Sequence, residues 1–348
     1  MAFIHHRTAL IGLLALSCTA CATSPRQLEA LDRGVVAIPT GGGNFVSWRL
    51  LAGEDALAFN LYRDGVRLNP EPLSGTNFVD QGAGAAASYS VRPVRGGAES
   101  LEGAGSGPTW AESFHRIALR KPADAVGPDG QPYSYVVNDG SAADLDGDGR
   151  YELLVKWQPT NARDNSQRGT TGSTLIDAYR LDGALLWRID LGKNIRAGAH
   201  YTTYLAYDFD GDGRAEVMMK TADGSVDGKG KVIGDLNADY RNKDGYVLSG
   251  PEFLTVFDGR TGAALATTSY LPPRGEAGAW GDAYGNRVDR FLGGVAYLDG
   301  ARPSAVFTRG YYTRAVLAAW DWRDGKLSRR WVFDSDTPAN KDAAGQGA

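Results

Sequence analysis

The sequence predicts an all-β protein, with a small β-sandwich followed by part of a β-propeller. Two observations predict this class. The chain of 348 residues contains 46 glycines, and its aromatics are well spread, which suits many short strands joined by tight turns. Its C-terminal two thirds repeat a strand, an Asp-Gly turn and a second strand, and no amphipathic helix of useful length interrupts them. Hairpins at this frequency favour propeller blades over a second sandwich.

The N-terminal sandwich is predicted over residues 34–107. An early tryptophan, Trp48, is followed by a Tyr-x-Val-x-x-Val strand that begins at Tyr89, a pattern similar to fibronectin type III domains. Between them, Phe59 to Gly65 reads as a strand that runs into an Asp-Gly turn. We assign these aromatic residues to the core and give them no chemistry. The small residues from Gly96 to Pro108 are interpreted as a linker.

The remainder, residues 109–348, is predicted to form the partial propeller. Three hairpins are predicted around Asp-Gly turns, namely Ala178–Trp187, Leu254–Leu265 and Ala319–Leu327. The glycine-rich stretch Ala222–Gly250 has weak strand signals and is predicted to be an elaborated loop. Asp223 and Asp227 are candidate ligands for a calcium ion within it, and a solvated insertion is the alternative.

An acidic nonapeptide occurs twice, beginning at Asp144 and again 64 residues later at Asp208. Each copy places carboxylates at positions 1, 3, 5 and 9, and glycines at 4 and 6 allow sharp turns. The backbone carbonyl at position 7 adds a further oxygen, and six to eight oxygens are what Ca²⁺ requires. A solvated acidic turn is the alternative for one copy, but two copies with the same closing glutamate disfavour it. The predicted calcium ligands are Asp144, Asp146, Asp148, Arg150 and Glu152 in the first copy, and Asp208, Asp210, Asp212, Arg214 and Glu216 in the second.

The two copies are not EF-hands, because an EF-hand needs a bidentate glutamate at position 12 and a helix on each side. Position 12 is Val155 in one copy and Met219 in the other, and each loop leads into a short apolar run of strand length. The loops are therefore predicted to be metal-binding corners of a repeated β unit. They also resemble the loops of integrin-type propellers, where calcium is structural.

Residues 1–22 are predicted to be an export signal, so we expect a secreted, periplasmic or outer-membrane protein. A short basic start precedes the apolar run Thr8–Leu16, which is too short to span a bilayer. Thr19-Ala20-Cys21 fits the end of a bacterial lipoprotein signal and would carry a lipid anchor. The frame ending at Cys18 competes with it, and plain secretion is the alternative. The net charge of −4 argues against a nucleic-acid partner.

The stretches around the acidic loops together resemble the calcium-dependent, propeller-type rhamnogalacturonan lyases of polysaccharide lyase family eleven. The resemblance runs in unbroken order from the sandwich almost to the last residue. It rests on Val137–Ser141, Lys156–Asn165, Asn194–Thr202, Lys220–Gly224, Leu248–Val256, Tyr284–Arg290 and Thr308–Arg314. It implies an eight-bladed propeller that binds a pectic polysaccharide, rhamnogalacturonan I, and for which we expect a monomer.

The activity implied by the resemblance is β-elimination at a galacturonate. A cation against the uronate carboxylate stabilises the carbanion-like transition state, and a base removes the C5 proton. The resemblance implies that Asn138 contacts the sugar. Gln158 is a second candidate contact, at a position where the family more usually carries Asp. The alternative function is a non-catalytic, calcium-dependent carbohydrate-binding or adhesion propeller.

The sequence does not decide which side chain is the catalytic base. Lys156 and Lys220 lie four residues beyond each loop's glutamate, and that repetition favours a structural role such as pairing with the acidic corner. His200 and Arg196 are further candidates, although a histidine in this context is more often a turn or core residue. The sequence ends at Ala348, where the family continues through further blades, so we expect an N-terminal portion with weak turnover.

Overall fold

The computed structural model describes residues 26–54 and 57–343. The predicted export signal and both cysteines lie outside the described residues. Within the described part, the only helices are two short 3-10 helices, Ala277–Trp280 and Pro338–Ala343. No described helix has the length and apolar character needed to cross a membrane. All named strands pair in an antiparallel manner, so the all-β prediction is confirmed.

The N-terminal part contains eight strands in two sheets. The first sheet has the order β1-β2-β5, and the second has β4-β3-β6, with β7 and β8 both paired to β6. The strands are β1 (Val36–Thr40), β2 (Gly43–Ser47), β3 (Ala58–Arg63), β4 (Val66–Arg67), β5 (Asn77–Gln81), β6 (Ser88–Arg95), β7 (Ala98–Glu99) and β8 (Gly105–Pro108).

The two sheets enclose a core built from the alternating apolar residues of their facing strands. Trp48 packs edge-to-face on Phe59 with ring centroids 5.6 Å apart, and both side chains are buried. The Tyr89 hydroxyl is also buried and donates to Asp80 at 2.8 Å. The prediction that these aromatics form the core is therefore confirmed.

The interpretation of Gly96 to Pro108 as a linker is wrong, because β7 and β8 lie in this stretch and complete the second sheet. The glycines of β8 are required by close approach rather than by flexibility. A Cβ at Gly105 would lie 2.2 Å from the Arg33 Cβ, and one at Gly107 would lie 2.1 Å from the Val35 carbonyl oxygen. The strand thus packs against residues 33–35 where only glycine fits.

The C-terminal part contains three further sheets, each built on a four-stranded meander of the kind found in propeller blades. A two-stranded ribbon, β9 (Ala125–Val126) and β10 (Pro132–Tyr133), precedes them. The strands of the three sheets are β11 (Tyr135–Ala143), β12 (Glu152–Pro159), β13 (Leu175–Tyr179), β14 (Leu185–Asp190), β15 (Tyr204–Tyr207), β16 (Glu216–Ala222), β17 (Ser225–Val226), β18 (Val232–Ile233), β19 (Glu252–Phe257), β20 (Ala264–Ser269), β21 (Gly293–Ala296), β22 (Ser304–Arg309), β23 (Val316–Arg323) and β24 (Lys326–Asp334).

We call these meanders the first, second and third sheets. They are β11-β12-β13-β14, β15-β16-β19-β20 and β21-β22-β23-β24. The three predicted Asp-Gly hairpins are confirmed, and each forms the third and fourth strands of its sheet. One apolar core lies between the first and second sheets and another between the second and third.

The stretch Ala222–Gly250 is not a solvated insertion. Its strands β17 and β18 extend the first sheet, with Val226 paired to Asp190 of β14. Ser225 and Asp227 are buried within it. This packing explains why a loop with weak strand signals is nevertheless ordered: it adds two short strands to a sheet built elsewhere in the chain.

The first strands of the three sheets begin on one face of the C-terminal part and end on the other. On the face where they begin, which we call the start face, Phe291 N–H donates to the His200 carbonyl at 3.2 Å. On the opposite face, which we call the loop face, Ala215 N–H donates to the Asp144 carbonyl at 2.7 Å. The starts of β11, β15 and β21 therefore lie on the start face, and their ends lie on the loop face.

Candidate metal loops and candidate sugar-binding face

The first acidic loop joins β11 to β12 on the loop face. Oxygens of Asp144, Asp146 and Glu152 lie within 4.8 Å of one another. The Asp144 carboxylate accepts the N–H groups of Gly147 at 2.7 Å and Gly149 at 2.8 Å, and both glycines have φ of +84°. This left-handed backbone curls the loop around its carboxylates.

The second loop joins β15 to β16 and repeats this geometry. Asp208, Asp210 and Glu216 form the same group of three, again within 4.8 Å. Asp208 accepts the N–H of Gly211 at 2.7 Å and that of Gly213 at 3.0 Å. In both loops the closing glutamate is the first residue of the following strand, so the prediction that each loop leads into a strand is confirmed.

The electrostatics of both loops fit a bound cation. Burial, reinforced by neighbouring aspartates, raises the pKa of Glu152 to about 7 and that of Glu216 to about 8. Burial also raises the pKa of Asp144 and Asp208. Carboxylates crowded in this way resist ionisation unless positive charge compensates them. A hard divalent cation with oxygen preference supplies that charge.

The remaining predicted ligands lie in the same loops but outside the groups of three. Asp148 turns outward and pairs with the Arg150 guanidinium at 2.6 Å, and Asp212 pairs in the same way with Arg214. Because of these ion pairs, the carboxylates at position 5 are not part of either group of three.

Asp223 is placed away from both acidic groups. Its Oδ1 accepts the Asp235 N–H at 2.9 Å, and its Oδ2 accepts the Tyr240 hydroxyl at 2.8 Å. Asp227 similarly accepts backbone N–H groups, including that of Ala264 at 2.9 Å. In the described part of the chain, the structure brings neither residue into a group of three possible ligands. Both carboxylates instead hold the folded stretch Ala222–Gly250 in place.

The two equivalent lysines differ in their surroundings, and neither pairs with an acidic loop. Lys220 Nζ lies 3.1 Å from Glu252, which also binds Arg274 and Arg309. Lys156 Nζ donates to the Thr202 carbonyl at 3.3 Å. Pairing with the acidic corner was the wrong expectation, because four residues of strand separate each lysine from its loop's glutamate by about 13 Å.

The predicted sugar contacts lie on the start face. The β11–β12 ladder has a bulge that skips Asn138, since Val137 pairs with Trp157 and Asp139 with Lys156. A bulge redirects the side chain of its extra residue and is common beside active sites. Gln158 pairs with Val136 and is half-buried, so it belongs to the same end of this ladder as Asn138.

His200 also lies on the start face, where its ring Nε2 is 3.8 Å from Asp164 Oδ2. Arg196 is instead a structural cross-link. It donates to Asn165 Oδ1 at 2.8 Å and to the Gly169 carbonyl at 3.2 Å, and it stacks on Tyr246. His200 is therefore available to a ligand, whereas Arg196 is not.

The acidic loops and the sugar-contact candidates lie at opposite ends of the same strands. Glu152 opens β12 on the loop face, and Gln158 is six residues further along it on the start face. At about 3.3 Å per residue this places them roughly 20 Å apart. A cation in the first loop therefore cannot touch a sugar held between Asn138 and Gln158.

Two further residues belong to this face, and their residue types alone do not reveal it. Asp164 lies beside His200, and Arg290 stacks on the ring of Tyr311 at 4.3 Å. Both occur within stretches that carried the family resemblance. Their position in those stretches is the only feature of the sequence that points to a role at this face. Their proximity to His200 arises only when the three sheets pack together.

The fold and these sites define a class: an all-β protein with acidic loops that could hold a metal ion and a polar face at the opposite strand ends. The chain matches the model of the C-terminal domain of rhamnogalacturonan lyase family 11 over residues 114–348. It matches the rhamnogalacturonan I lyase beta-sheet domain over residues 26–108. The chain belongs to rhamnogalacturonan lyase family 11.

Two curated relatives come from Bacillus subtilis (strain 168). The chain is 55% identical to rhamnogalacturonan endolyase YesW over 343 residues, which is 97% of this chain and 55% of the relative. It is 56% identical to rhamnogalacturonan exolyase YesX over 324 residues, or 92% of this chain and 53% of that relative. The chain thus spans about half the length of the curated relatives it matches.

Solved structures show the same fold. The crystal structure of YesW superposes with a TM-score of 0.88 at 57% identity, covering 93% of this chain and 56% of that one. The rhamnogalacturonan lyase PL11 of Bacillus licheniformis gives 0.88 at 58% identity, with 93% and 56% covered.

Proposed function

We propose that this chain is part of a rhamnogalacturonan lyase that cleaves the rhamnogalacturonan I backbone of pectin by β-elimination. The observation that carries this proposal is family membership across both parts of the chain, with relatives named as an endolyase and an exolyase. The whole protein is proposed to close an eight-bladed propeller, of which the three meanders described above are blades.

The chemistry follows from the substrate. A galacturonate carries an acidic hydrogen at C5 beside its carboxylate, and its C4 oxygen is the leaving group. Removal of the C5 proton by a base gives an unsaturated galacturonate without consuming water. A carboxylate pair of the glycosidase type is therefore unnecessary.

We propose that Ca²⁺ binds the loops at Asp144 and Asp208 and has a structural role there. When bound, a hard cation neutralises the buried carboxylates of each loop. The separation of roughly 20 Å between these loops and the start face supports a structural role, because charge stabilisation of the transition state requires contact distance. Calcium dependence of the activity would then arise through folding of the blade corners.

The test is the ultraviolet absorbance of the unsaturated product, measured with rhamnogalacturonan I as substrate. Each reaction is run with calcium, with chelator, and with chelator followed by calcium. We expect product in calcium, loss of product as the chelated protein unfolds, and recovery on adding calcium. A folded, calcium-loaded, full-length protein that forms no product would refute the lyase assignment. Activity that survives complete chelation would refute the structural need for the metal.

A second candidate, a non-catalytic carbohydrate-binding or adhesion propeller, is favoured by one observation. The acidic loops, which hold the two groups of possible metal ligands, lie away from the sugar-contact candidates. Calorimetric binding of saturated rhamnogalacturonan oligosaccharides without product formation would support this candidate.

The remaining proposals concern location and assembly. We propose an exported protein, secreted, periplasmic or held at the outer membrane by a lipid on Cys21, that acts as a monomer on the pectic polysaccharide. Metabolic labelling with palmitate, comparing the natural sequence with Cys21→Ala and Cys18→Ala, separates the lipoprotein frames from plain secretion.

A further inference from the structure

His200 occupies a position on the start face that none of the metal-loop chemistry uses. Its side chain is 36% exposed and that of Asp164 is 34% exposed, so solvent or a ligand reaches both. The His200 backbone is fixed, because its carbonyl accepts the Phe291 N–H at 3.2 Å. The ring is thus presented to the face by a tethered backbone rather than packed in the core.

Arg290, the residue before Phe291, carries a guanidinium that forms no ion pair with a carboxylate among residues 26–54 and 57–343. It stacks on Tyr311 and donates to that hydroxyl at 3.3 Å, and its Nε is buried without a hydrogen-bond partner. Two other arginines, Arg274 and Arg309, are held by Glu252 at 2.8 and 2.7 Å. Arg290 is therefore free to bind a carboxylate brought by a ligand.

Three charged groups face His200 from neighbouring elements: Asp164 from the loop after β12, Lys156 from β12, and Arg290 from the loop before β21. Burial, followed by the charge of Arg290, lowers the pKa of His200, while Asp164 opposes this. The imidazole is consequently unprotonated at neutral pH and can accept a proton.

We propose that His200 is the base and Arg290 the uronate-binding residue of the elimination. This inference rests on the proposed lyase function, which requires a base and a group that binds the uronate carboxylate. The bulged Asn138 lies on the same face, because Lys156, paired with its neighbour Asp139, donates to the Thr202 carbonyl two residues after His200. The uronate would thus lie between the first and third sheets, above the second.

Arg290 binds the C6 carboxylate, and His200 takes the proton from C5. The electron pair of that C–H bond forms the C4–C5 double bond as the C4–O4 bond breaks, and the departing oxygen takes a proton from solvent. His200 later returns its proton to solvent, so no oxidant, reductant or additional co-reactant is needed.

The first test is kinetic and uses the complete calcium-loaded protein. We expect His200→Gln to lower kcat by about 10²–10⁴-fold and to remove the acidic limb of the pH–rate profile. Arg290→Met should raise KM and lower kcat, with partial rescue in Arg290→Lys. His115→Gln is the matched control, because His115 is exposed and bonds only the Leu181 carbonyl. A His200→Gln protein with the wild-type rate and pH profile would overturn the assignment.

The second test does not depend on turnover. NMR follows the His200 ring protons while methyl galacturonide, which has no sugar at O4 to lose, is added. A bound uronate should raise the pKa of His200, because a nearby anion favours imidazolium. The rise should vanish in Arg290→Met, whose unliganded His200 should itself titrate at higher pH. A wild-type protein that shows this rise but forms no product refutes the lyase function while supporting the uronate site. An unchanged titration overturns the site itself.

Discussion

The connection between the first and second strands on the loop face is built in two different ways. In the first and second sheets it is an acidic nonapeptide that ends at Glu152 or Glu216. In the third sheet it is the turn from Tyr297 to Pro303, and the second strand begins with Ser304. The same position in the sheet therefore holds a buried glutamate twice and a serine once.

The third sheet balances its charges with its own side chains. Ser304 donates to Asp321 at 2.6 Å, Arg330 binds Asp321 at 3.1 Å, and Arg302 binds Asp299 at 3.2 Å. Backbone N–H groups of Arg302 and Ala301 lower the pKa of Asp299 to about 2. The carboxylates of this turn are thus stable as anions, whereas those of the acidic loops have raised pKa values.

The comparison indicates that the carboxylates at this corner of a sheet need compensating charge, which the third sheet supplies from its own side chains. The acidic loops contain an arginine each, but it binds the outward aspartate and leaves the inner three carboxylates uncompensated. The first and second sheets should therefore depend on an external cation, and the third should not. This distinction can be tested directly.

Chelation should have the largest effect. A cation that binds only the folded state stabilises it by about 2.7 kcal/mol per site at a hundredfold excess over its Kd, so removing two sites costs roughly 5 kcal/mol. Urea unfolding with calcium and with chelator measures the difference. Hydrogen exchange should show the loss in the first two sheets. Equal deprotection of all three sheets would contradict the assignment of calcium dependence to two of them.

Substitution at the equivalent strand positions should have the next largest effect. Glu216→Gln should lower the free energy of unfolding by about 2–3 kcal/mol in saturating calcium, because the site loses a charged ligand. In chelator the sign should reverse, since the substitution removes a crowded buried carboxylate. Ser304→Ala is the matched control and should cost about 1 kcal/mol whether or not calcium is present.

The pH dependence of the metal-free protein should also distinguish the acidic loops from the corner of the third sheet. The pKa values of Glu152 and Glu216 are raised to about 7 and about 8, above the usual value of 4.5. Folding therefore favours the protonated form of each glutamate. The resulting contribution to the free energy of unfolding is complete below pH 4.5 and is lost as pH rises towards 8. Thermal unfolding in chelator between pH 5 and 8 should show the decline. Calcium should abolish it, and a decline that persists in calcium would assign the effect to other groups.

The arginine network of the third sheet should give the smallest effect. Arg330→Met should cost about 1 kcal/mol or less, because its partners are partly exposed and solvent screens them. The cost should shrink in high salt and should be independent of calcium. A calcium-dependent cost, measured by the same urea titrations, would show that the third sheet is coupled to the loops.

The acidic loops could be predicted because their determinants lie within nine residues. Carboxylate spacing, glycines and the following strand are all local, and the structure places Asp144, Asp146 and Glu152 together. The Asp-Gly hairpins were predictable for the same reason. By contrast, the glycines of β8 were interpreted as flexible because their close neighbours, Arg33 and Val35, are about 70 residues away in sequence.

The start face could be predicted only in part. Asn138 was selected through the family resemblance, but its bulge depends on pairing with β12. His200 remained ambiguous because its environment is set by Asp164 and Arg290, which lie in the loops after β12 and before β21. The distinction between Lys156 and Lys220 likewise required Glu252, which lies 32 residues beyond Lys220. Long-range packing, rather than residue type, decides these roles.

The segment just before the sandwich has a consequence for how the molecule is assembled. Asp32 N–H donates to the Gly149 carbonyl at 2.7 Å, and the Gln27 side chain donates to the Asp208 carbonyl at 3.0 Å. The Gln27 backbone carbonyl also accepts a hydrogen bond from the hydroxyl of Tyr297, which lies 270 residues later in the sequence. Since synthesis proceeds from the N-terminus, this segment leaves the ribosome long before its partners exist. The earliest of the described residues to be made therefore complete these contacts only after Tyr297, which follows the first strand of the third sheet, has been translated.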